Sequence, residues 1–383
     1  MKKRIFSNVA LIGLVSLFVD MSTEMVYPLV PLFLTATLGA TPLAVGIIEG
    51  IAESLASLLK VFSGYIGDVR SNKKRLAFAG YSASVVYKIV LLLSTSWLGV
   101  LAARIIDRTG KGLRTAPRDA LVAQSCDESA LGESFGLHKM LDMLGSALGV
   151  ALAFVFIAAG FSYPWAFAFA IIPAIIGVAI IPAVREDKPQ SPPCAKLAFR
   201  NVKLDGRLKL YLAVIFLFCL GNSSNVFLLL KAQEKGFSAS QVILLYLVFN
   251  LSSSILAIPA GRLSDRYGRS GILVPGYLIY GLVYLGFVFI HAKAGVVFLF
   301  AAYGAYSALI SAAERAFIAE NAPEGFTGTV LGIYGMLQGI GLLLASILAG
   351  LMWNTINSDA PFVCGGTLGI VSALLIAAIL KER

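Results

Sequence analysis

The sequence predicts an all-α membrane protein: twelve transmembrane helices in two pseudo-symmetric six-helix bundles, with both termini in the cytoplasm. Three observations lead to this fold class: recurring apolar segments, an uneven distribution of basic residues, and motifs that repeat between the two halves. Of the 383 residues, 58% are hydrophobic and only 14% are charged. A water-soluble domain could not bury that much apolar surface.

Apolar stretches of about 20 residues or more, enough to cross a bilayer, recur along the whole chain. The N-terminal segment MKKRIFSNVALIGLVSLF resembles a signal peptide, but it lacks a small-residue cleavage site and continues into a full span. We therefore expect it to be retained as the first helix. The predicted spans lie at about 6–35, 42–66, 75–95, 97–117, 134–158, 163–184, 209–231, 240–262, 271–291, 294–318, 328–352 and 360–380.

Lys and Arg residues are distributed unevenly between the predicted loops. With the N-terminus inside, the cytoplasmic segments hold twenty basic residues, whereas the opposite side holds three, Lys231, Lys235 and Lys293. This asymmetry follows the positive-inside rule, and an even number of spans then predicts that both termini are cytoplasmic. The net charge of +10 faces anionic headgroups and does not require a nucleic-acid partner.

One long polar stretch divides the chain, VREDKPQSPPCAKLAFRNVKLDGRLK at 184–209. Its prolines and charges are typical of a linker. We predict an N-terminal six-helix bundle at 1–186, a cytoplasmic linker at 187–207 and a C-terminal six-helix bundle at 208–383.

The two halves resemble each other in their motifs. GYIGD at 64–68 matches GRLSD at 261–265 with an offset of 197 residues, and further matches around the fifth and eleventh spans have an offset of 196. We expect both matched motifs to lie in loops. Two related bundles about one axis are a common architecture of secondary transporters.

The stretch RIIDRTGKGLRTAPRD, at 104–119, carries seven charges in an otherwise apolar chain. At about 100° per residue, these charges fall within an arc of about 140°, which predicts a helix with one charged stripe and one apolar stripe. We expect Pro117 to end or kink this helix. A DNA-reading helix has a similar stripe, but this one follows directly on the apolar SWLGVLAA.

Depth divides the charges of this stripe into two groups. Arg104, Asp107 and Arg108 lie too deep to reach the interface easily, and a charge there costs roughly 2.5–3.5 kcal/mol, so each is expected to face a partner or water. For Arg114 and Arg118, snorkelling to the inner interface is an equally good interpretation.

Possible partners lie on neighbouring spans of the first half. A purely structural ion-pair network is one interpretation, but ionisable groups that face one another inside a bilayer more often mark a proton relay or a substrate pathway. The second half offers mainly Glu314 and Arg315 with scattered amides, so we assign the charge-bearing machinery to the first half. The candidate substrate-binding or proton-coupling residues are Asp20, Glu24, Tyr27, Glu49, Glu53, Arg104, Asp107, Arg108, His138 and Asp142.

GRLSDRYGR at 261–269 resembles the loop signature of the major facilitator superfamily, and GYIGDVRSNKKR at 64–75 keeps its Gly, its Asp and its basic tail but lacks the middle glycine. In that family the Asp holds cytoplasmic helix ends together by pairing with a helix N-terminus and a nearby Arg, a physically reasonable arrangement. The resemblance therefore implies a cytoplasmic gate around Asp68 and Asp265. To this gate we assign the basic residues Arg266 and Arg269 of the same motif and, from their depth along the charged stripe, Arg114, Arg118 and Asp119.

Two further segments carry the resemblance. LAARIIDRTGKG resembles the arginine-bearing segment of the family, with Arg104 as the match. The predicted fifth span resembles the antiporter signature in the spacing of Gly136, Gly145 and Gly149, with Val150 in place of the proline that follows in the family. Close helix packing explains these glycines equally well.

Together these features predict a secondary active transporter that moves a small polar or charged organic molecule by alternating access. Proton-coupled export, as drug or metabolite antiport, is the leading interpretation, and proton-coupled uptake of an organic anion or a metal chelate is the alternative. Coupling to sodium stays open, because Ser22 and Thr23 could contribute oxygen ligands.

Other classes fit the sequence less well. No metal pair, nucleophile triad or phosphate loop is present, so we expect no enzyme activity, no cofactor and no metal site. A receptor or scaffold would need a sizeable soluble module, and the longest loop has only about 25 residues. The expected partners are a small-molecule substrate, protons and the lipid bilayer, and not nucleic acid. We expect a multi-pass monomer in the cytoplasmic (inner) membrane of a bacterium.

Overall fold

A computed structural model describes residues 2–70, 73–125, 131–186, 205–321 and 327–381. Within helices, it does not describe the side chains of 2–7, 60–70, 131–136, 264–270 and several shorter stretches. The α-helices are α1 (Lys2–Val26), α2 (Leu29–Leu32), α3 (Pro42–Arg70), α4 (Lys73–Leu92), α5 (Trp97–Gln124), α6 (Leu131–Ala158), α7 (Tyr163–Ile180), α8 (Gly206–Gly221), α9 (Val226–Glu234), α10 (Ala239–Phe289), α11 (Lys293–Asn321), α12 (Thr327–Thr355) and α13 (Ala360–Lys381).

Each of the twelve predicted spans is mostly helical, and eleven stretches of the described chain are long and apolar enough to cross a membrane. The twelfth is α5, whose charged stripe lowers its mean hydropathy below that of a typical span. Two short segments extend the regular helices, a π-helical turn at Phe33–Thr37 and a 3₁₀ turn at Ile181–Ala183.

Two sequence expectations about where helices end are wrong. Pro117 does not end α5, which continues to Gln124; the alternative, that it kinks the helix, stays a prediction. The motifs GYIGD and GRLSDRYGR do not lie in loops, because α3 continues to Arg70 and α10 runs from Ala239 to Phe289. Glycine in these motifs tolerates a turn but does not require one, so local composition alone overestimates loops.

The chain divides into two compact units, Met1–Ala40 with Ile51–Cys194, and Thr41–Gly50 with Ala195–Arg383. We call them the first unit and the second unit. The predicted linker at 187–207 falls largely outside the described residues. The start of α3 belongs to the second unit because small residues let it approach α12: a Cβ atom at Gly46 would lie 2.2 Å from the carbonyl oxygen of Ser346.

In the first unit, α1 and α6 pack backbone against backbone. A Cβ atom at Gly145 would lie 2.2 Å from the carbonyl oxygen of Leu17, and one at Gly149 would lie 2.2 Å from that of Met21. Small residues permit this close approach between membrane helices. The surroundings of Gly136 lie outside the described residues. This packing fixes the position of the polar residues of α1 beside those of α6.

In the second unit, the helix is interrupted between α8 and α9. Residues 222–225 leave the helical path, and tyrosines supply hydrogen bonds to the opened backbone and its flanking amides. Tyr280 Oη donates to the carbonyl oxygen of Gly221 at 2.7 Å, and Asn222 Nδ2 donates to Tyr306 Oη at 3.1 Å. Irregular backbone inside a membrane protein is tolerated where it lies buried in protein or lines a cavity.

Candidate functional site

The deeper charges of α5 form one buried network with residues of α1 and α3, which we call the Arg104 cluster. Its members are Tyr27, Glu53, Arg104, Asp107 and Arg108. Arg104 is 1% exposed and Asp107 and Arg108 are each 3% exposed. Buried charges of this kind are tolerated when they are paired, as these are.

Asp107 lies between the two arginines of this cluster. Its Oδ2 is 3.7 Å from Arg104 Nη1 and 3.5 Å from Arg108 Nε, while Arg108 Nη1 is 3.0 Å from Glu53 Oε1. The Tyr27 ring centre lies 5.4 Å from Arg104 Cζ and 5.9 Å from Arg108 Cζ, close enough for cation–π attraction. The prediction that these deep charges have partners is therefore met in the geometry.

Lys88 on α4 is fully buried beside α1. Its Nζ donates to Ser84 Oγ at 2.6 Å and to Thr23 Oγ1 at 3.3 Å. An ammonium group this deep in a membrane protein generally belongs to a functional pathway.

A second network, the Arg118 cluster, joins α1, α4, α5 and α6. Its members are Ser16, Asp20, Tyr81, Arg114, Arg118, Asp119, His138 and Asp142. Arg114 Nη2 is 3.6 Å from Asp20 Oδ1, and Arg114 Cζ lies 4.7 Å from the Tyr81 ring centre. Arg118 Nη2 is 2.9 Å from Asp119 Oδ1, and its Nη1 is 4.0 Å from Asp142 Oδ1.

Two carboxyl groups meet inside the Arg118 cluster. The side chains of Asp20 on α1 and Asp142 on α6 lie next to each other, each beside an arginine of α5, with side-chain exposures of 20% and 21%. Two neighbouring carboxyl groups can hydrogen-bond to each other only when one of them carries a proton, because a carboxylate can only accept. Nearby, Ser16 Oγ lies 2.9 Å from His138 Nε2 and 3.2 Å from Tyr81 Oη.

The structure groups the candidate residues differently from the sequence analysis. Asp20, His138 and Asp142 were expected beside Arg104, but they lie with Arg114 and Arg118. The close α1–α6 packing is responsible, because it places the carboxylates of those two helices opposite the far end of the α5 stripe.

The remaining predicted residues lie elsewhere. Glu24 is partly buried on α1, and Glu49 is buried in the portion of α3 that belongs to the second unit. The gate residues Asp68, Asp265, Arg266 and Arg269 lie on helical backbone, but their side chains are outside the described set, so the gate stays a prediction.

The second unit contains a polar site that the sequence analysis did not propose, the Glu314 pocket. Glu314 on α11 is 2% exposed and accepts hydrogen bonds at both carboxylate oxygens. Tyr277 Oη donates to Oε1, Tyr334 Oη donates to Oε2 at 2.5 Å, and Gln338 Nε2 donates to Oε2 at 3.3 Å. A cavity of about 140 Å³ adjoins the carboxylate, lined by Phe218, Cys219, Asn222, Tyr306, Ser307, Ile310, Glu314, Tyr334 and Gln338.

The Glu314 pocket and the Arg118 cluster occupy equivalent positions in the two halves. The offset of 196 residues takes Tyr81 to Tyr277, Arg118 to Glu314, His138 to Tyr334 and Asp142 to Gln338. The repeat offset visible in the sequence was therefore the signal that could have found this pocket. A count of charged residues missed it because three of its four positions carry neutral side chains.

Paired charges buried among long apolar helices are typical of multi-pass membrane transporters. The profile described as Major Facilitator Superfamily matches residues 12–230 and 210–383. The chain therefore belongs to the major facilitator superfamily, as the loop motif and the repeat predicted, and it is a transporter of that family.

Curated relatives agree with this assignment. The chain is 34% identical over 387 residues to the uncharacterized MFS-type transporter MJ1317 of Methanocaldococcus jannaschii, covering 98% of this chain and 96% of the relative. It is 23% identical to the inner membrane transport protein YajR of Escherichia coli, covering 94% of this chain and 80% of that protein.

Solved structures share the fold at low sequence identity. The nucleoside transporter NupG matches with a TM-score of 0.84 at 13% identity, covering 97% of this chain and 100% of that structure. A peptide transporter, POT, matches with a TM-score of 0.83 at 12% identity, covering 98% and 94%. At these identities the likeness establishes the fold alone. Among the residues that the structure describes, no group of three or more His, Cys, Asp or Glu could hold a metal ion.

Proposed function

We propose that this transporter moves a small polar or charged organic molecule and couples its movement to protons, most simply as an exporter that exchanges a drug or metabolite for protons. The observation that supports the proposal is the position of Asp20 and Asp142 next to each other and beside two arginines. A proton shared by this pair would be able to exchange with water, because both side chains are partly exposed.

Loss of this proton would change the contacts between helices. Two carboxylates in contact repel each other, and both then attract the guanidinium groups of Arg114 and Arg118. Because the four residues lie on α1, α5 and α6, protonation of one pair is linked to the packing of three helices. A linkage of that kind is what couples a proton gradient to alternating access.

We assign substrate contact in the first unit to the Arg104 cluster. Arg104 and Arg108 present two buried guanidinium groups against one tyrosine face, and Asp107 and Glu53 balance them. The pair of arginines supports the second candidate function, proton-coupled uptake of an organic anion or a metal chelate, because guanidinium groups bind carboxylate and phosphate in a bidentate manner.

We further propose that the chain works as a monomer in the cytoplasmic membrane of a bacterium, with both termini in the cytoplasm. The twenty-to-three distribution of basic residues supports this topology.

The test begins with a thermal-stabilisation screen of the purified protein across metabolites, drugs and metal chelators. The best ligand is then loaded into proteoliposomes, and its flux is followed under imposed proton or sodium gradients of either direction. We expect a pH gradient, acidic on the side opposite the ligand, to drive its movement. Flux that follows only the ligand's own gradient, or only sodium, would reject proton coupling.

A further inference from the structure

We infer that a crevice between the ends of α4 and α7 binds the head group of an anionic phospholipid, whose acyl chain lies along the membrane-facing surface of these two helices. We call it the Lys74 crevice. It is lined by Lys74, Arg75, Phe78, Ile181, Pro182 and Glu186. All of these residues belong to the first unit, and none belongs to the Arg104 or Arg118 cluster. The inference therefore goes beyond the proposed transport function and does not depend on it.

The crevice combines a charged part with an apolar part. Lys74 and Arg75 supply two positive charges, whereas Phe78, Ile181 and Pro182 supply apolar surface. Its volume of about 580 Å³ lies within the range of roughly 300–1,000 Å³ that is typical of small-molecule sites. Such a lining matches a molecule that has a charged head and an apolar tail.

Lys74 connects the two helices at the rim of the crevice. Its Nζ donates to the carbonyl oxygen of Pro182 at 2.7 Å, which holds the ammonium group between the start of α4 and the 3₁₀ turn after α7. Because an ammonium group has three N–H donors, this contact is compatible with a further bond to a phosphate oxygen. Arg75 is exposed beside it, and a guanidinium group can bind two phosphate oxygens at once.

One carboxylate also lines the crevice, and it limits the charge of the ligand. Glu186 Oε1 accepts from the backbone N–H of Lys73 at 2.8 Å, and Oε2 accepts from that of Lys74 at 3.2 Å. A carboxylate is stabilised there because the N-terminal end of a helix carries partial positive charge. With two basic side chains against one acidic side chain, the crevice suits a phosphodiester with a single negative charge better than a multiply charged anion.

Exposed apolar side chains continue the crevice along both helices, which pack against each other. They are Phe78, Val86 and Ile89 on α4, and Phe169, Ile172 and Ile176 on α7. In a membrane protein such a surface faces acyl chains. Phe78 and Ile89 are roughly 16 Å apart along the helix axis, which is about half of a hydrocarbon core of about 30 Å and so the depth of one leaflet.

The crevice lies where both helices leave the membrane. The apolar span Lys73–Leu92 begins beside it, and the span Tyr163–Ala183 ends there. We place this end in the cytoplasm, and basic pockets between helices on that side recognise anionic head groups. Because the crevice opens at the depth of lipid head groups, its ligand is a lipid of the surrounding bilayer and not a soluble phosphate.

The direct test measures lipid binding to the purified full-length protein by native mass spectrometry, with phosphatidylglycerol and phosphatidylcholine of identical acyl chains. For the first lipid bound, we expect at least about tenfold tighter binding of phosphatidylglycerol, since each basic residue contributes about fivefold. Lys74→Gln with Arg75→Gln should abolish this preference. Arg207→Gln with Lys209→Gln removes the same charge at the start of α8, and this matched control should keep it. Equal binding of the two lipids, an unchanged preference in the first variant, or an equal loss in the control would overturn the inference.

A second measurement locates the acyl chain and separates a lipid from soluble phosphate. In a chain whose Trp97, Trp165 and Trp353 are replaced by phenylalanine, Phe78→Trp places a single tryptophan in the crevice. In vesicles of brominated phosphatidylcholine, unbrominated phosphatidylglycerol should relieve the quenching of this tryptophan more than unbrominated phosphatidylcholine does, and inorganic phosphate should leave that difference unchanged. Equal relief by the two lipids, or a difference that inorganic phosphate removes, would contradict the inference. Neither experiment uses a proton gradient or a transported substrate, so a failure of the proposed function would not affect these results.

Discussion

The Arg118 cluster and the Glu314 pocket are built on the same four scaffold positions, and their chemistry is opposite. In the first unit the positions hold Arg118, His138 and Asp142 with Tyr81, and the carboxylates face arginines. In the second unit a single carboxylate is surrounded by tyrosines and one amide, beside a cavity.

This difference indicates how a duplicated bundle can divide its tasks. A dense network of paired charges responds strongly to the gain or loss of one proton, because every member senses the change. We therefore propose that proton coupling belongs to the first unit.

The largest expected effect comes from comparing substitutions at equivalent positions of the two sites. Asp142→Asn removes the carboxyl that pairs with Asp20, so gradient-driven flux in proteoliposomes should fall about 100-fold, to the level of exchange without a gradient. Gln338→Leu changes the equivalent residue of the second unit and should alter substrate affinity while keeping the dependence on the pH gradient. The division of tasks fails if both variants lose gradient dependence, or if neither does.

The second prediction divides α5 by depth. Arg104→Ala removes one partner of a buried ion pair in the proposed substrate contact, so the affinity of the ligand found by screening should fall about 30-fold. Arg118→Ala should leave that equilibrium affinity nearly intact, because Arg104 and Arg118 are roughly 21 Å apart along the helix axis. Ligand binding to both purified variants tests this prediction. Equal losses of affinity would mean that the two clusters do not differ in their role in binding.

Sequence and structure agree best where the cost of burying a charge in the membrane determines the arrangement. The pairing of Arg104, Asp107 and Arg108 could be predicted because an unpaired charge at that depth is costly whatever the fold. The meeting of Asp20 with Asp142 could not, because it depends on which faces of α1 and α6 the glycines bring together. The Glu314 pocket was not predicted for another reason. Its tyrosines look like ordinary apolar residues in a hydropathy profile, and only the repeat offset connects them.

The third prediction concerns the packing that creates the Asp20–Asp142 contact. Gly145→Ala places a methyl group 2.2 Å from the carbonyl oxygen of Leu17, so α1 must move away and stability should fall by about 1–3 kcal/mol. Gly335→Ala on α12 is the control, because a Cβ atom there meets nothing within 4 Å. Thermal unfolding of both variants in detergent should show a loss of stability only for Gly145→Ala. Matching unfolding curves would mean that α1 and α6 do not constrain each other.

The smallest effect is expected in the second unit, outside the lining of the Glu314 pocket. Lys231 is 3% exposed and contacts Glu234 at 2.9 Å and Asp359 at 2.8 Å, but both carboxylates are more than 40% exposed and regain water when the lysine is removed. Lys231→Met should therefore cost only about 1 kcal/mol. Unfolding in low and high salt checks this: a loss several times larger, insensitive to salt, would show that the pair is essential to the fold.

Infrared spectroscopy tests the central claim most directly, because a shared proton between Asp20 and Asp142 implies one protonated carboxyl group at neutral pH. The purified protein should show the C=O stretch of a hydrogen-bonded carboxylic acid, shifted in D₂O. That band should vanish in both Asp20→Asn and Asp142→Asn and persist in Glu314→Gln. A wild-type spectrum without the band, or a band that survives in both aspartate variants, would contradict the assignment of proton coupling to the Arg118 cluster.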